Sequence, residues 1–301
     1  MRMIPDRNRK KRGLTRRRFL LGGFAVAGLS APATLSYAAG EASWRLALTH
    51  YAPKPSAWPA GRRLSITVIA DLHAGGPNLG RERVREVVEL ANAQQSDLIV
   101  LLGDYVATHA FVTERVPYDV WAGELGALKA PLGTWAVLGN HDWRVGASAV
   151  RRALNGAGIP VLENDAVRIG EGASRFWLAG LGDQLAYKIG HGRYAGVDDL
   201  PGTLRQVTGE EPVILLAHEP DIFTRVPDRV ALTISGHTHG GQIRLPLIWP
   251  AFVPSAYGAR FAYGHIVEQS RHMIVSGGIG TSIVPVRLGI PPEVVRLQLG
   301  G

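Results

Sequence analysis

Leu64-Ser65-Ile66-Thr67-Val68-Ile69-Ala70-Asp71-Leu72-His73 is a β-branched apolar run that stops at an aspartate, with a histidine two places further on. Side chains of this kind pack well on a pleated surface, so the run predicts a buried strand over 64–70 with Asp71 and His73 beyond its C-terminal end. Outward from it the same shape recurs. Residues 81–94 predict a helix with Val84, Val87, Val88 and Ala91 on one face. The run 97–102 predicts a buried strand ending at Gly103-Asp104. A helix is expected over 118–129, then a strand over 134–138 that ends at Gly139-Asn140-His141-Asp142. Another helix over 147–155 is stopped by Gly156 and Gly158. The second half predicts strands over 176–181, 213–217, 231–235, 272–276 and 294–299, and a helix near 221–226. Strands alternating with helices imply one α/β layered domain from about Leu64 to the C-terminus.

Open α/β sheets place ligands beyond the carboxyl ends of their strands. Every candidate metal ligand falls at such an end: Asp71, His73, Asp104, Asn140 with His141, His218, and His237 with His239. In Gly236-His237-Thr238-His239-Gly240-Gly241, alternate side chains of an extended segment leave the same side of the backbone. The two histidines can therefore serve one site or two adjacent cations, and the glycines let backbone approach a ligand closely. The chain has no cysteine, so disulfides and thiolate ligands are excluded and a metal must use nitrogen and oxygen donors.

Asp-x-His, Gly-Asp, Gly-Asn-His-Asp, a lone His and Gly-His-Thr-His, in that order, resemble the calcineurin-like metallophosphoesterase family over essentially 66–299. The stretches 235–243 and 276–282 also resemble a bacterial envelope subgroup of that family. The resemblance implies a two-sheet β-sandwich flanked by helices, four layers in the order αββα, with two metals at the rim. It implies that Asp71, His73, Asp104 and His239 hold the first metal, and that Asp104, Asn140, His218 and His237 hold the second, with Asp104 bridging. A mixed imidazole, carboxylate and amide set suits Mn²⁺, Fe²⁺ or Zn²⁺ better than Mg²⁺ or Ca²⁺. Only two carboxylates offset two divalent cations, so the site stays positive and attracts phosphate. Paired metals can share a hydroxide formed at neutral pH, which predicts in-line attack on phosphorus. His141 is the expected proton donor to the leaving oxygen, and Asp142 is expected to be structural.

Departures from the family narrow the substrate. Protein phosphatases of this superfamily place an aspartate three residues after the second motif, followed by Arg-Gly, and an arginine before Asn-His. This chain has Asp104-Tyr105-Val106-Ala107-Thr108-His109 and Leu138-Gly139 at those places. A ligating tyrosine of the purple acid type would lie further along than Tyr105. A small or lipid-linked phosphate ester or pyrophosphate is therefore expected, a diester before a monoester. Arg144 and Arg287 are the candidate phosphate-holding arginines, each otherwise a surface charge. His50, His109, His191, His265 and His272 lie outside the motifs, with His109 and His191 in loops that can reach the pocket. Residues 245–257 carry no charge, and three prolines bar them from a regular helix or central strand. Trp249 and Phe252 in that stretch are candidates for contact with acyl chains or a membrane surface.

The net charge of +8 is local. Nine of the 33 basic residues and one of the 25 acidic residues lie in 1–20, so the rest of the chain holds 24 of each. Binding to nucleic acid through counterion release gets no support from a neutral remainder, and a nuclease is the alternative this disfavours. Thr15-Arg16-Arg17-Arg18-Phe19-Leu20, an uncharged stretch to Gly40 and a small-x-small end at 36–39 resemble a twin-arginine export signal. Residues 1–39 are thus expected to be a signal peptide or a retained anchor recognised by the twin-arginine translocase. Residues 40–62 would be a lead-in and 63–301 the catalytic domain, in the periplasm or on the outer face of the cytoplasmic membrane. A further alternative is an envelope protein that binds metal without turnover.

Overall fold

The computed structural model describes residue 34 and residues 36–244 and 253–301. Two sheets form its centre. The first has the order β1-β13-β2-β3-β4, built from Ala47–Tyr51, Glu293–Leu299, Leu64–Ile69, Leu98–Leu101 and Thr134–Ala136. The second has the order β11-β12-β10-β9-β6-β5, from Gly264–Glu268, Arg271–Val275, Val230–Ser235, Val213–Leu216, Phe176–Gly180 and Asp165–Ile169. A separate hairpin pairs β7 (Tyr187–Gly190) with β8 (Arg193–Ala195).

The layering follows from the two-residue period of a strand. In β2 and β3, Ile66, Val68, Leu98 and Val100 turn inward and meet Leu178, Ile214, Leu216, Leu232 and Ile234 of the second sheet. Their neighbours Ile69, Ile99 and Leu101 turn outward beneath α2 (Arg81–Ala93), α3 (Tyr118–Leu125) and α5 (Ala147–Gly156). Val84, Val87, Val88 and Ala91 of α2 are buried there, as the helical spacing predicts. Across the second sheet, Val213, Leu215, Met273 and Val275 pack with Leu200 of α6 (Leu200–Arg205) and with Ile222 and Phe223 of a 3-10 turn. The chain is a mixed α/β fold of two main sheets flanked by helices, as expected.

The expected lead-in is the part that the structure alters. The chain is helical over 36–44 (α1), where Ala38 and Ala42, one turn apart, are buried. The Ala38 carbonyl accepts the backbone N–H of Arg287, and the Glu41 carboxylate accepts that of Gly289. β1 then pairs in parallel with β13, and Trp58 joins the layer between the sheets. Residues 40–62 are therefore part of the folded domain and not a lead-in. A local reading misses this because the partner of β1 lies at the opposite end of the chain. Of the expected signal, residues 1–33 and Leu35 lie outside the described residues.

In order, β2, β3 and β4 are parallel neighbours, as are β9 and β10. Both sheets thus turn strand C-termini toward one rim, where the polar motifs begin.

Candidate metal centre

Asp71, His73 and Asp104 follow β2 and β3. Asn140 and His141 open the short helix α4 (Asn140–Val145) after β4. His218 follows β9, and His237 and His239 follow β10. The rim gathers all of them, and none is more than 8% exposed. Asp71, His73 and His239 offer ligand atoms within 4.8 Å of one another, as do Asp104, His218 and His237. His73, Asp104 and His141 form a third such set, which overlaps the first two.

Asp104 ties the sets together. Its Oδ2 lies 3.5 Å from His73 Nε2, 3.3 Å from His218 Nε2 and 3.9 Å from His141 Nε2. Its Oδ1 accepts the backbone N–H of His141 at 2.7 Å. On one side, His73 Nε2 and His239 Nε2 are 3.2 Å apart, with Asp71 Oδ1 3.7 Å from the latter. On the other side, His218 Nε2 and His237 Nδ1 are 3.3 Å apart.

Backbone carbonyls choose the tautomers. His218 Nδ1–H donates to Leu102 O at 2.6 Å, and His237 Nε2–H donates to Pro254 O at 2.9 Å. Each ring is thereby left with its other nitrogen turned into the cluster. Asn140 Oδ1 is buried without a hydrogen-bond partner. A buried acceptor of this kind costs about 1–3 kcal/mol unless something binds it. Convergent imidazole nitrogens, two carboxylates and an orphaned amide oxygen fit a divalent cation of the transition series.

The electrostatics agree. Burial holds His73 down to about 3 and lowers His237 and His239 as well, so these rings stay neutral with lone pairs free. Burial also opposes charge on His218, but the Asp104 carboxylate beside it prevails and raises it well above the ordinary value. Burial pushes Asp71 up to about 7, whereas the surrounding histidines keep Asp104 well below the usual carboxylate range against its own burial.

The backbone is strained at the same place. Asp71, His73, Asp104, His237 and His239 all have positive φ, between 46° and 70°. Such conformations are uncommon away from glycine and cost of order 1–3 kcal/mol each. Five ligand-type residues would not share them without a common purpose. Glycine supplies the remaining space: a Cβ at Gly139 would stand 2.4 Å from Asp104 Oδ1.

Behind these residues lie supporting groups, one expected and others that the motifs did not announce. Asp142, expected to be structural, accepts the backbone N–H groups of Gly139, Asp104 and Tyr105 at 2.8–2.9 Å and so ties two motif loops together. Arg287 is no surface charge and holds no phosphate, because it is fully buried. Its guanidinium donates to the carbonyls of Gly277, Gly280 and Ile290 and lies 3.2 Å from His239 Nδ1. Asp183 and Glu219 are buried close to His218, each with one carboxyl oxygen lacking a partner. The local hints of this pair were an acid directly after His218 and a Gly182-Asp183 step just beyond the strand expected over 176–181.

His141 faces a cavity of about 710 Å³ lined also by Thr108, His109, Arg144, Leu185, Tyr194, Ile243, Ser282 and Val284. The Thr108 hydroxyl meets its Nδ1, while Arg144 Nη1 and Ser282 Oγ each lie 3.4 Å from its Nε2. Burial holds His141 down to about 4. His109 thus reaches the cavity and Arg144 stands in its wall. His191 is not among the lining residues, and His265 and His272 contact each other on β11 and β12, 3.0 Å apart. Trp249 and Phe252 lie outside the described residues.

Comparison with known proteins places this geometry. A model of the calcineurin-like phosphoesterase family matches residues 64–241. The chain is 32% identical over 246 residues to an uncharacterized metallophosphoesterase of Aquifex aeolicus, covering 81% of this chain and 87% of that one. It is 31% identical over 297 residues to the uncharacterized metallophosphoesterase YkuE of Bacillus subtilis, covering 95% and 98%. It is 32% identical over 241 residues to the phosphodiesterase YaeI of Escherichia coli, covering 78% and 81%.

Proposed function

The chain belongs to the calcineurin-like phosphoesterase family, a metal-dependent phosphoric ester hydrolase, and from that premise we propose that it is a dimetal phosphodiesterase acting on a small or lipid-linked substrate. The observation that carries the reading is Asp104 Oδ2, set between His73 on one side and His218 on the other. Asp71, His73, Asp104 and His239 would hold one cation, and Asp104, Asn140, His218 and His237 the other. Mn²⁺, Fe²⁺ or Zn²⁺ suits such donors. Bound there, the pair would supply Lewis acidity toward a phosphoryl oxygen and bring the pKa of water near neutrality.

The chain's own side chains do the rest. When the Thr108 hydroxyl donates to Nδ1, the proton of neutral His141 sits on Nε2, the nitrogen nearest Arg144 and Ser282. That N–H is placed to hydrogen-bond the leaving oxygen as the P–O bond breaks. Arg144, in the cavity wall, is placed to orient a phosphoryl oxygen. Leu185, Tyr194, Ile243, Pro254 and Val284 make much of the remaining wall apolar, which supports an organic or acyl group on the far side of the phosphate. The phosphodiesterase name of the Escherichia coli relative supports a diester. The twin-arginine-like N-terminus supports export to the periplasm or the outer face of the cytoplasmic membrane.

Elemental analysis of the purified protein, followed by a screen of aryl phosphate mono- and diesters with Mn²⁺ added, tests the reading. Two equivalents of metal and turnover of a diester are expected. Metal-loaded protein that cleaves neither ester class would leave only a binding protein.

A further inference from the structure

Within the connection from β6 to α6, the chain from 184 to 197 reads Gln184-Leu185-Ala186-Tyr187-Lys188-Ile189-Gly190-His191-Gly192-Arg193-Tyr194-Ala195-Gly196-Val197 and has no acidic residue, Asp183 preceding it and Asp198 and Asp199 following it. Its hairpin stands outside both main sheets and turns through Gly190, His191 and Gly192, all with positive φ. The base of the hairpin belongs to the candidate active site. Leu185 and Tyr194 line the cavity, and the Tyr187 ring meets Trp143 edge-on at 5.1 Å. The outer part is built differently. Tyr187 and Ile189 are 53% and 55% exposed, and Lys188, His191 and Arg193 are exposed beside them.

A two-stranded ribbon buries little, so leaving Ile189 in water brings the fold no gain. Two more exposed apolar residues, Ile243 and Ile283, line the same cavity. Apolar and aromatic atoms with Lys188 and Arg193 beside them, and no acid on the hairpin itself, match the layered chemistry of a lipid interface, where rings sit at headgroup level above anionic phosphates. We propose that the β7–β8 hairpin docks the mouth of the cavity on an anionic lipid surface, Tyr187 and Ile189 entering the interface while Lys188 and Arg193 meet headgroup phosphates. The docking goes beyond the proposed reaction and holds whether or not the substrate is itself a lipid.

The absence of cysteine makes a clean test possible in the full chain. Ile189→Cys accepts a single environment-sensitive dye. Val267→Cys, 51% exposed on the edge strand β11, is the comparison position. With vesicles containing phosphatidylglycerol, the dye at 189 shifts to the blue and brightens, and phosphatidylcholine vesicles leave it unchanged. The dye at 267 is unchanged by either. Adding Lys188→Glu and Arg193→Glu raises the vesicle concentration at half-response by about five-fold or more per cation, and salt weakens the response. A dye at 189 that ignores anionic vesicles overturns the proposal, even if the chain sediments with them through another segment. A shift that follows protein concentration without vesicles also overturns it, since the hairpin would then meet a second copy of the chain. Turnover of a soluble aryl diester by the labelled protein reads the catalytic proposal separately.

Discussion

At the residue scale, Asp104 is the atom-sharing member of the site, and its removal should affect both halves at once. Asp104→Ala is expected to lose metal from both positions by elemental analysis and to lower turnover to background. His141 is different in kind, because its side chain faces substrate space. His141→Ala should retain metal and lose about 10²–10⁴ in kcat for poor leaving groups, with a smaller loss for a nitrophenolate. Equal losses for both leaving groups would remove its role toward the leaving oxygen. Arg287 works at one remove, through Gly277, Gly280 and His239. Burial brings it down to about 10, still a cation at neutral pH. Arg287→Met should weaken Mn²⁺ about 10–100-fold at the Asp71/His73/His239 position and leave the other titration step in place, as read by calorimetry on folded apoprotein. The residues that the rim gathers were readable from motifs alone. Arg287 was not, because nothing near it in sequence announces a buried guanidinium.

Among elements, what could be read was what is local. β2, β3 and α2 announce themselves by β-branched runs and by a valine stripe, and their observed bounds differ from the expected ones by a residue or so. The helix expected over 118–129 ends instead at Leu125, where Gly126 lowers helix propensity. β1, β5 and the β7–β8 hairpin escaped notice. β1 is mostly half-buried and the hairpin exposed, so neither shows a strong alternation of apolar and polar residues. The start of α4 shows how an element serves the site. Asp142 accepts the N–H groups of Gly139 and Asp104 and so holds the helix against the β3 loop. Asp142→Ala strands three buried donors, which should cost about 3 kcal/mol or more, measured as a lower urea midpoint.

For the whole molecule, the seven proposed ligands come from both sheets, so bound cations would clasp the sandwich at its rim. A site held at a hundredfold its Kd contributes about 2.7 kcal/mol, so EDTA should lower Tm by on the order of 10 °C. In metal-free buffer the buried Asp183 contributes another response. Burial, with Glu219 close by, raises its carboxyl from 3.8 to about 10. The folded state then holds a proton that the unfolded chain has released. The stability this gives is complete below the unfolded value and is lost as pH rises toward 10. Wild-type Tm should therefore fall between pH 6 and pH 9, and Asp183→Asn should flatten that fall in thermal scans. The sheet order also makes the site depend on a strand distant in sequence. The last strand, β13, lies between β1 and β2, next to the strand that carries Asp71 and His73. A chain that lacks β13 leaves β1 and β2 without the neighbour that joins them, so truncation before Glu293 should abolish Mn²⁺ binding even though every proposed ligand is still present.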